Sequence, residues 1–350
     1  MLIIATLVLA GAAVIAAAMT WAVRHYALRH AILDVPNERS SHTAPTPRGG
    51  GIGIVAGVLT GLVAGRLLGW VEPALFNALI GGGILVAGVG FLDDHGHVPA
   101  WSRATVHLTA ALWALYTLGG LPHLWLGTMI VALGWSGWVL GALAIVWASN
   151  LYNFMDGIDG IAGSEAVMVG ATAALLAWFI GSTSIAFAAA LIAAACAGFL
   201  AWNWAPARIF MGDVGSGFLG YVLAVVALAS ETTGGPPLLA WLILLGAFLV
   251  DATATLLRRM ARRERWFAAH RSHAYQRAVQ AGYSHARVTG GVLLLDVVLA
   301  TLAFVVVLWP GRAPLVALCA LGLLAAVYIG VEQIRPMCGS ASEPAATRTD

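Results

Sequence analysis

The sequence has very little charge: Asp, Glu, Lys and Arg make up 10% of its 350 residues, where a soluble domain carries about 25%. Lysine is absent, so all 18 basic residues are arginine. Cysteine is scarce too. Cys196, Cys319 and Cys338 show no metal-ligand spacing, and no disulfide scaffold or zinc site follows from them. Against 16 acids the formal net charge is only +2, too small a field to gather nucleic acid as a partner. Coiled coils, collagen-like repeats and disorder are excluded by a composition that is 60% hydrophobic. What the chain has in quantity is apolar surface, with a mean hydropathy of +0.87. A globule in water could not cover itself with so few charges. The composition predicts an all-α, polytopic integral membrane protein embedded in a lipid bilayer.

A helix needs about 20 mostly apolar residues to cross the hydrocarbon core. That criterion predicts eleven spans, over 2–23, 51–70, 74–92, 104–120, 128–149, 164–181, 184–201, 209–230, 237–257, 288–308 and 313–331. The first has no basic residues ahead of it and continues into Trp21 and Val23, so it reads as a retained span rather than a signal peptide. An odd count puts the termini on opposite sides. Of the 18 arginines, only Arg66 and Arg312 fall outside the set of loops that follows the odd-numbered spans. The positive-inside bias then places that set in the cytoplasm and the N-terminus outside. The spans and loops form one unit, 1–335. The segment 336–350 is an Ala/Ser/Thr-rich tail predicted to be disordered and cytoplasmic.

The residues able to do chemistry follow the same parity, in loops 24–50, 93–103, 150–163, 202–216 and 258–287. The first loop carries Asp34, Arg39, His42 and Arg48 ahead of three glycines, which suits an anion but also an ordinary topogenic loop. Asp93 and Asp94 end the third span. Adjacent carboxylates repel unless a cation or proton lies between them. The richest stretch is Asn150-Leu-Tyr-Asn153-Phe-Met-Asp156-Gly-Ile-Asp159-Gly160. Oxygen donors every third residue with glycine turns suit a hard cation bridging a diphosphate, and the spacing is not that of an EF-hand. Phe210-Met-Gly212-Asp213 opens a span with an acid among small residues, either as an anion and metal site or as a plain helix cap. In 258–287 the five arginines from Arg258 to Arg265 are topogenic, whereas His270-Arg271-Ser-His273 is a donor cluster suited to a diphosphate. Asp251 and Asp296 lie deeper. Asp251 is expected to pair with Arg258, two turns on, and Asp296 has no assignment.

These motifs, in this order from Asp34 to Gln276, resemble the polyprenyl-phosphate N-acetylhexosamine-1-phosphate transferases (glycosyltransferase family 4). Within that family the chain is closest to the bacterial enzymes that start O-antigen on undecaprenyl phosphate. The resemblance implies that Asn153 and Asp213 ligate magnesium, with manganese as a substitute. It implies that Asp159 and Phe210 hold and stack the uracil of a UDP-N-acetylhexosamine, with Asp156 in the nucleotide motif. Arg271 and His273 match diphosphate donors, and Arg103 matches a basic residue facing phosphate. Asp93 and Asp94 match the pair assigned to catalysis, and Arg39 and His42 belong to the first substrate-binding segment. One departure stands out: where many members carry His-x-His-His, this chain has His273-Ala-Tyr275-Gln276.

The reaction so implied moves a sugar 1-phosphate to undecaprenyl phosphate and releases UMP, at the cytoplasmic face of the bacterial inner membrane. A phosphomonoester with a second pKa near about 6 is largely dianionic at neutral pH. Direct attack by the lipid phosphate, with Asp94 aiding proton removal, is therefore expected over a covalent aspartyl route. The rival reading is a secondary transporter with proton-coupling carboxylates. It predicts acids at the bilayer midplane and repeat symmetry, which the sequence does not display. A homodimer is a candidate assembly that the sequence neither requires nor excludes.

Overall fold

A computed structural model describes residues 2–35, 45–96, 98–264 and 270–337. Thirteen α-helices account for nearly all of it: α1 (Leu2–Arg29), α2 (Ile52–Leu67), α3 (Pro73–His95), α4 (Ala100–Leu118), α5 (Ser136–Met155), α6 (Ile161–Phe179), α7 (Thr183–Asn203), α8 (Asp213–Thr232), α9 (Leu238–Leu244), α10 (Gly246–Ala261), α11 (Ala274–Gln280), α12 (His285–Leu308) and α13 (Ala313–Ile334). Two short antiparallel pairs complete the described chain, β1 (Leu33–Asp34) with β2 (Thr46–Pro47) and β3 (His123–Leu126) with β4 (Met129–Ala132). Arg39, His42 and the tail beyond Met337 lie outside the described residues.

Among the described residues eight helices are long and apolar enough to cross a membrane, and α9 with α10 passes the same test as a pair bent by 76°. The two remaining expected spans also form helices. The helix α2 is short at 16 residues, and α4 carries Arg103 and His107 in its first turns. The protein is a multi-pass membrane protein whose backbone polar groups are satisfied within helices, as hydrocarbon demands. Helix α8 is the axis, with every residue from Val214 to Glu231 buried. Around it pack α3 and α5, and beyond them α1, α2, α6 and α7 form one flank and α9, α10, α12 and α13 another. Helices α1, α12 and α13 turn most of their residues outward. Exposed Trp135, Trp178 and Trp309 ring one end of the bundle, and Trp21, Trp101 and Trp204 the other. Such belts mark the two interfaces of a bilayer.

Two expected boundaries are corrected. The span predicted over 128–149 begins as a hairpin: His123 pairs with Ala132 and Leu126 with Met129, turning through Gly127 at φ +81°. Its helix starts only at Ser136 and runs to Met155, so Asn150 and Asn153 stand on the last turns of α5 rather than in a loop. The span predicted over 237–257 breaks at Leu245, and the break aims α10 and Asp251 toward the polar end of the bundle.

Candidate active site

Asp213 opens α8 and is the centre of the polar end. Its Oδ1 accepts from Arg48 Nη2 at 2.7 Å and its Oδ2 from Arg103 Nη1 at 3.2 Å. Arg48 Nε also pairs with Asp94 Oδ1 at 2.8 Å, and Arg103 pairs with Asp93. The two adjacent carboxylates therefore diverge. Asp93 accepts the amide of Val98 at 2.9 Å and turns the chain into α4. Asp94 crosses to α8 and accepts the amides of Asp213 at 2.9 Å and Val214 at 3.1 Å. Those amides are orphans of a helix start, and a carboxylate there satisfies both hydrogen bonding and the helix dipole. Gly212 makes the arrangement feasible. Its φ is +78°, and a Cβ at this position would strike the Asp94 carboxylate.

The segment carrying Arg48 is held by backbone. Phe210 donates to Pro47 O at 2.8 Å, Gly50 to Phe210 O at 2.9 Å and Gly51 to Met211 O at 2.8 Å. Gly51 and Gly215 approach so closely that a Cβ on either would enter the other's backbone. The third contributor is Asn153, whose Nδ2 donates to Ser216 Oγ at 3.0 Å and whose side chain lies within reach of the Asp213 carboxylate. Two arginines thus face three acids, Asp93, Asp94 and Asp213, leaving one negative charge over. Asp156 stands beside them. Burial first, then Asp213, Asp94 and Asp159, push its pKa up to about 7, against the pull of Arg48. Although burial drags the Arg48 guanidinium down, Asp213, Asp94 and Asp34 raise it above its ordinary value.

The surplus of hard oxygen donors fits a divalent cation. Among the described residues no three His, Cys, Asp or Glu side chains form a closed cage. Magnesium seldom uses one, and one or two protein carboxylates plus substrate phosphates are its usual complement. Asp213 with Asn153 supplies that pattern.

The residues that open α11 pack against the end of α5. Tyr275 Oη donates to Phe154 O at 2.9 Å, and the His273 ring stacks near Phe154 at 6.4 Å between centroids. Burial, then Asp251 and Asp156, push the Tyr275 phenol well above its ordinary value, so it serves as a neutral donor. Gly157 leaves the space that this hydroxyl fills. The expected pairing of Asp251 with Arg258 is replaced. Asp251 accepts the amides of Ala274 at 2.7 Å and Tyr275 at 3.1 Å and lies 3.5 Å from His273 Nδ1, whereas Arg258 grips Glu332. The amide-capping geometry wins because the first half of α10, which carries Asp251, lies against the start of α11. Asp296 has the buried Glu165 facing it across α6 and α12.

Asp159 turns away from the acid cluster. Its Oδ2 accepts the amide of Ala207 at 3.0 Å, its Oδ1 lies 3.3 Å from His285 Nδ1, and its carbonyl accepts from Thr289 Oγ1 at 3.1 Å. Asn203 completes this corner by accepting the amide of Gly160 at 3.1 Å and donating to Ile209 O at 2.9 Å. Phe210, half-buried, follows Ile209 of this corner directly in the chain. Sequence reasoning missed Asn203, His285 and Thr289. An amide between Trp202 and Trp204 at the end of an apolar run was the one available signal. The structure therefore gathers Asp93, Asp94, Arg103, Asn153 and Asp213, adds Arg48, sets Asp156 beside them, and holds Asp159 with Phe210 and His273 with Arg271 on separate flanks.

Between α10, α12 and α13 lies an apolar cavity of about 340 Å³ lined by Phe248, Val292, Leu295, Leu324 and Tyr328. Met155, Asp251 and Tyr275 border it and connect it with the end of α5.

The model of the family described as glycosyl transferase family 4 matches residues 76–231. The chain is 30% identical over 270 residues to a Bacillus subtilis protein named probable undecaprenyl-phosphate N-acetylglucosaminyl 1-phosphate transferase, covering 75% of this chain and 74% of that one. It is 30% identical over 329 residues to the decaprenyl-phosphate N-acetylglucosaminephosphotransferase of Mycolicibacterium smegmatis, covering 84% and 79%. With the undecaprenyl-phosphate alpha-N-acetylglucosaminyl 1-phosphate transferase of Escherichia coli it shares 28% identity over 275 residues, covering 75% and 72%.

Proposed function

The chain belongs to glycosyl transferase family 4 and is a glycosyl-1-phosphate transferase, and we propose that it moves N-acetylhexosamine 1-phosphate from a UDP-sugar to undecaprenyl phosphate, releasing UMP. The observation that carries this reading is the acid-rich cluster of Asp93, Asp94, Asp213 and Asn153 with Arg48 and Arg103, set at one end of a membrane bundle whose α5, the helix of Asn153, reaches an apolar cavity through Met155. A long lipid acceptor needs such a neighbour: its prenyl chain belongs in hydrocarbon and only its phosphate reaches the polar end. N-acetylglucosamine is the sugar named for the relatives, and we assign the same class of donor here. The arginine distribution supports a cytoplasmic site in the bacterial inner membrane, where UDP-sugars are found. The product would be the first lipid-linked sugar of O-antigen or of another envelope glycan.

An oxygen of the lipid phosphate attacks the β-phosphorus, the bond between the β-phosphorus and the bridging oxygen breaks, and that oxygen leaves with UMP. Positioning and charge neutralisation carry most of such a transfer. Asp213 and Asn153 would hold magnesium, or manganese in its place, which when bound neutralises diphosphate oxygens. Arg48 and Arg103 fix the Asp213 carboxylate, and Arg271 and His273 offer donors to the developing charge. The Asp94 side chain is 3% exposed, against 17% for Asp213, and it caps the first amides of α8 while pairing with Arg48. We therefore assign Asp94 to positioning Asp213 rather than to proton removal. Asp159 and Phe210 form the flank suited to the uracil, with Asp156 between it and the acid cluster, and Arg39 and His42 remain candidate contacts of the first loop.

Purified protein in nanodiscs, given undecaprenyl phosphate, magnesium and UDP-N-acetylglucosamine, tests the proposal. UMP and a lipid-linked sugar diphosphate should appear together, and EDTA should stop both. UMP formed without the lipid acceptor, or an EDTA-insensitive rate, contradicts it.

A further inference from the structure

The backbone of 271–275 is tied at almost every polar group. Gln280 Nε2 donates to Arg271 O at 2.8 Å, and the His273 amide reaches Gln276 Oε1 at 3.3 Å. Asp251 takes the next two amides, those of Ala274 and Tyr275. The His273 carbonyl accepts the Arg277 amide at 2.9 Å, and Ser272 O accepts from Arg277 Nε at 3.1 Å. Arg277 is a side chain only 2% exposed, and a buried guanidinium needs a counter-charge. That charge comes from outside the loop. Glu332, on the last helix, accepts Arg277 Nη1 at 2.5 Å, while the carbonyl of Arg335 accepts the same nitrogen at 2.9 Å. Arg258 holds Glu332 from the other side with a two-pronged contact at 2.6 and 2.8 Å, and the Met337 amide closes on it at 3.2 Å. Tyr328 stacks under Arg277 at 5.2 Å and under Arg258 at 5.8 Å.

We infer that Glu332 is a positioning residue for the diphosphate donors: through Arg277 it fixes the Ser272 carbonyl, and with it the backbone from which Arg271 and His273 project. The inference rests on the role proposed above for those two donors. It also accounts for the departure from His-x-His-His noted in the sequence. The chain has Tyr275 and Gln276 where the last two histidines of that run would stand, and with Arg277 beyond them they tie the loop: Tyr275 Oη donates to Phe154 O and Gln276 Oε1 accepts the His273 amide. Glu332 touches no residue of the acid cluster, while Tyr328, under both of its arginine partners, also lines the apolar cavity; the larger effect is therefore assigned to the UDP-sugar and a smaller one to the lipid.

Glu332→Gln in the full chain, in nanodiscs, leaves the shape and removes the charge. The expected result is a KM for UDP-N-acetylglucosamine raised about tenfold, with kcat within about twofold and a smaller rise, under about threefold, in the KM for undecaprenyl phosphate. Arg277→Lys keeps a positive charge in the buried position but cannot reach Ser272 O and Glu332 together, and should reproduce the same split. Arg258→Gln, which removes only the outer grip, should have the smaller effect of the three. Hydrogen exchange at the amides of 273–275 should quicken about tenfold in Glu332→Gln without any substrate present. That readout separates the inference from the function: wild-type protein that makes no lipid-linked product defeats the transferase reading and leaves the exchange result to judge Glu332. An unchanged UDP-sugar KM, an equal loss in both substrates, unchanged exchange, or failure of both Glu332→Gln and Arg277→Lys to fold would overturn the inference, the last by making Glu332 a stability residue.

Discussion

Asp213 spends each carboxylate oxygen on a different arginine and stands within reach of Asn153. Neutralising it therefore strips charge from two ion pairs and from the proposed metal position at once. Asp213→Asn is expected to lower kcat by about 10²–10³-fold with the protein still folded and inserted, since the amide keeps the side-chain shape. Arg48→Ala tests the same centre from the cationic side. It leaves Asp94 and Asp213 facing each other without their shared counter-ion, so a fall in thermal midpoint should accompany the fall in rate. Asp156 gives a pH signature. Its folded pKa is raised to about 7, above the usual carboxylate range, so the folded state binds a proton that the unfolded chain has released. The stability it confers is complete below the unfolded value and is lost as pH rises toward about 7. In metal-free protein the thermal midpoint should accordingly fall from about pH 5 to about pH 7, and Asp156→Asn should flatten that slope. A slope unchanged by the substitution assigns the proton elsewhere.

At the scale of elements, the site depends on how α8 begins. Gly212 sits at φ +78° against the Asp94 carboxylate, and Gly51 lies against Gly215. Gly212→Ala adds a left-handed strain and a clash, together worth about 1–3 kcal/mol, and should cost more than the same change at Gly88, which meets nothing. Comparable thermal midpoints for the two variants would refute that account of the turn. The motifs on these elements were legible in the sequence because each acid interrupts an apolar run: Asp93-Asp94, Asn153 to Asp159 and Asp213 all stand at span ends. Their pairing was not legible. Arg48 and Arg103 meet Asp213 across more than a hundred positions of chain, and no local periodicity encodes such a contact. The break at Leu245 and the hairpin 123–132 escaped for a related reason. Both are as apolar as a straight span, and tertiary packing, not hydropathy, decides where the helix stops. Asp251 illustrates the cost: spacing along α10 suggests Arg258, while the fold delivers the amides of α11.

Across the whole molecule, the sequence conveyed the all-α membrane architecture through composition alone, and the helices bear it out. Orientation follows from the arginines, so a reporter placed in the 127–128 turn should read periplasmic and one after Arg335 cytoplasmic. The opposite pattern would put the acid cluster on the side without UDP-sugars. The central claim concerns which bond breaks, and UDP-N-acetylglucosamine labelled with ³²P in the β-phosphate tests it most directly, with nanodisc-embedded protein, undecaprenyl phosphate and magnesium. Transfer of a sugar 1-phosphate predicts that the label moves to the lipid fraction in step with unlabelled UMP. Label that stays in the nucleotide product as UDP, while the sugar alone moves to lipid, would contradict it.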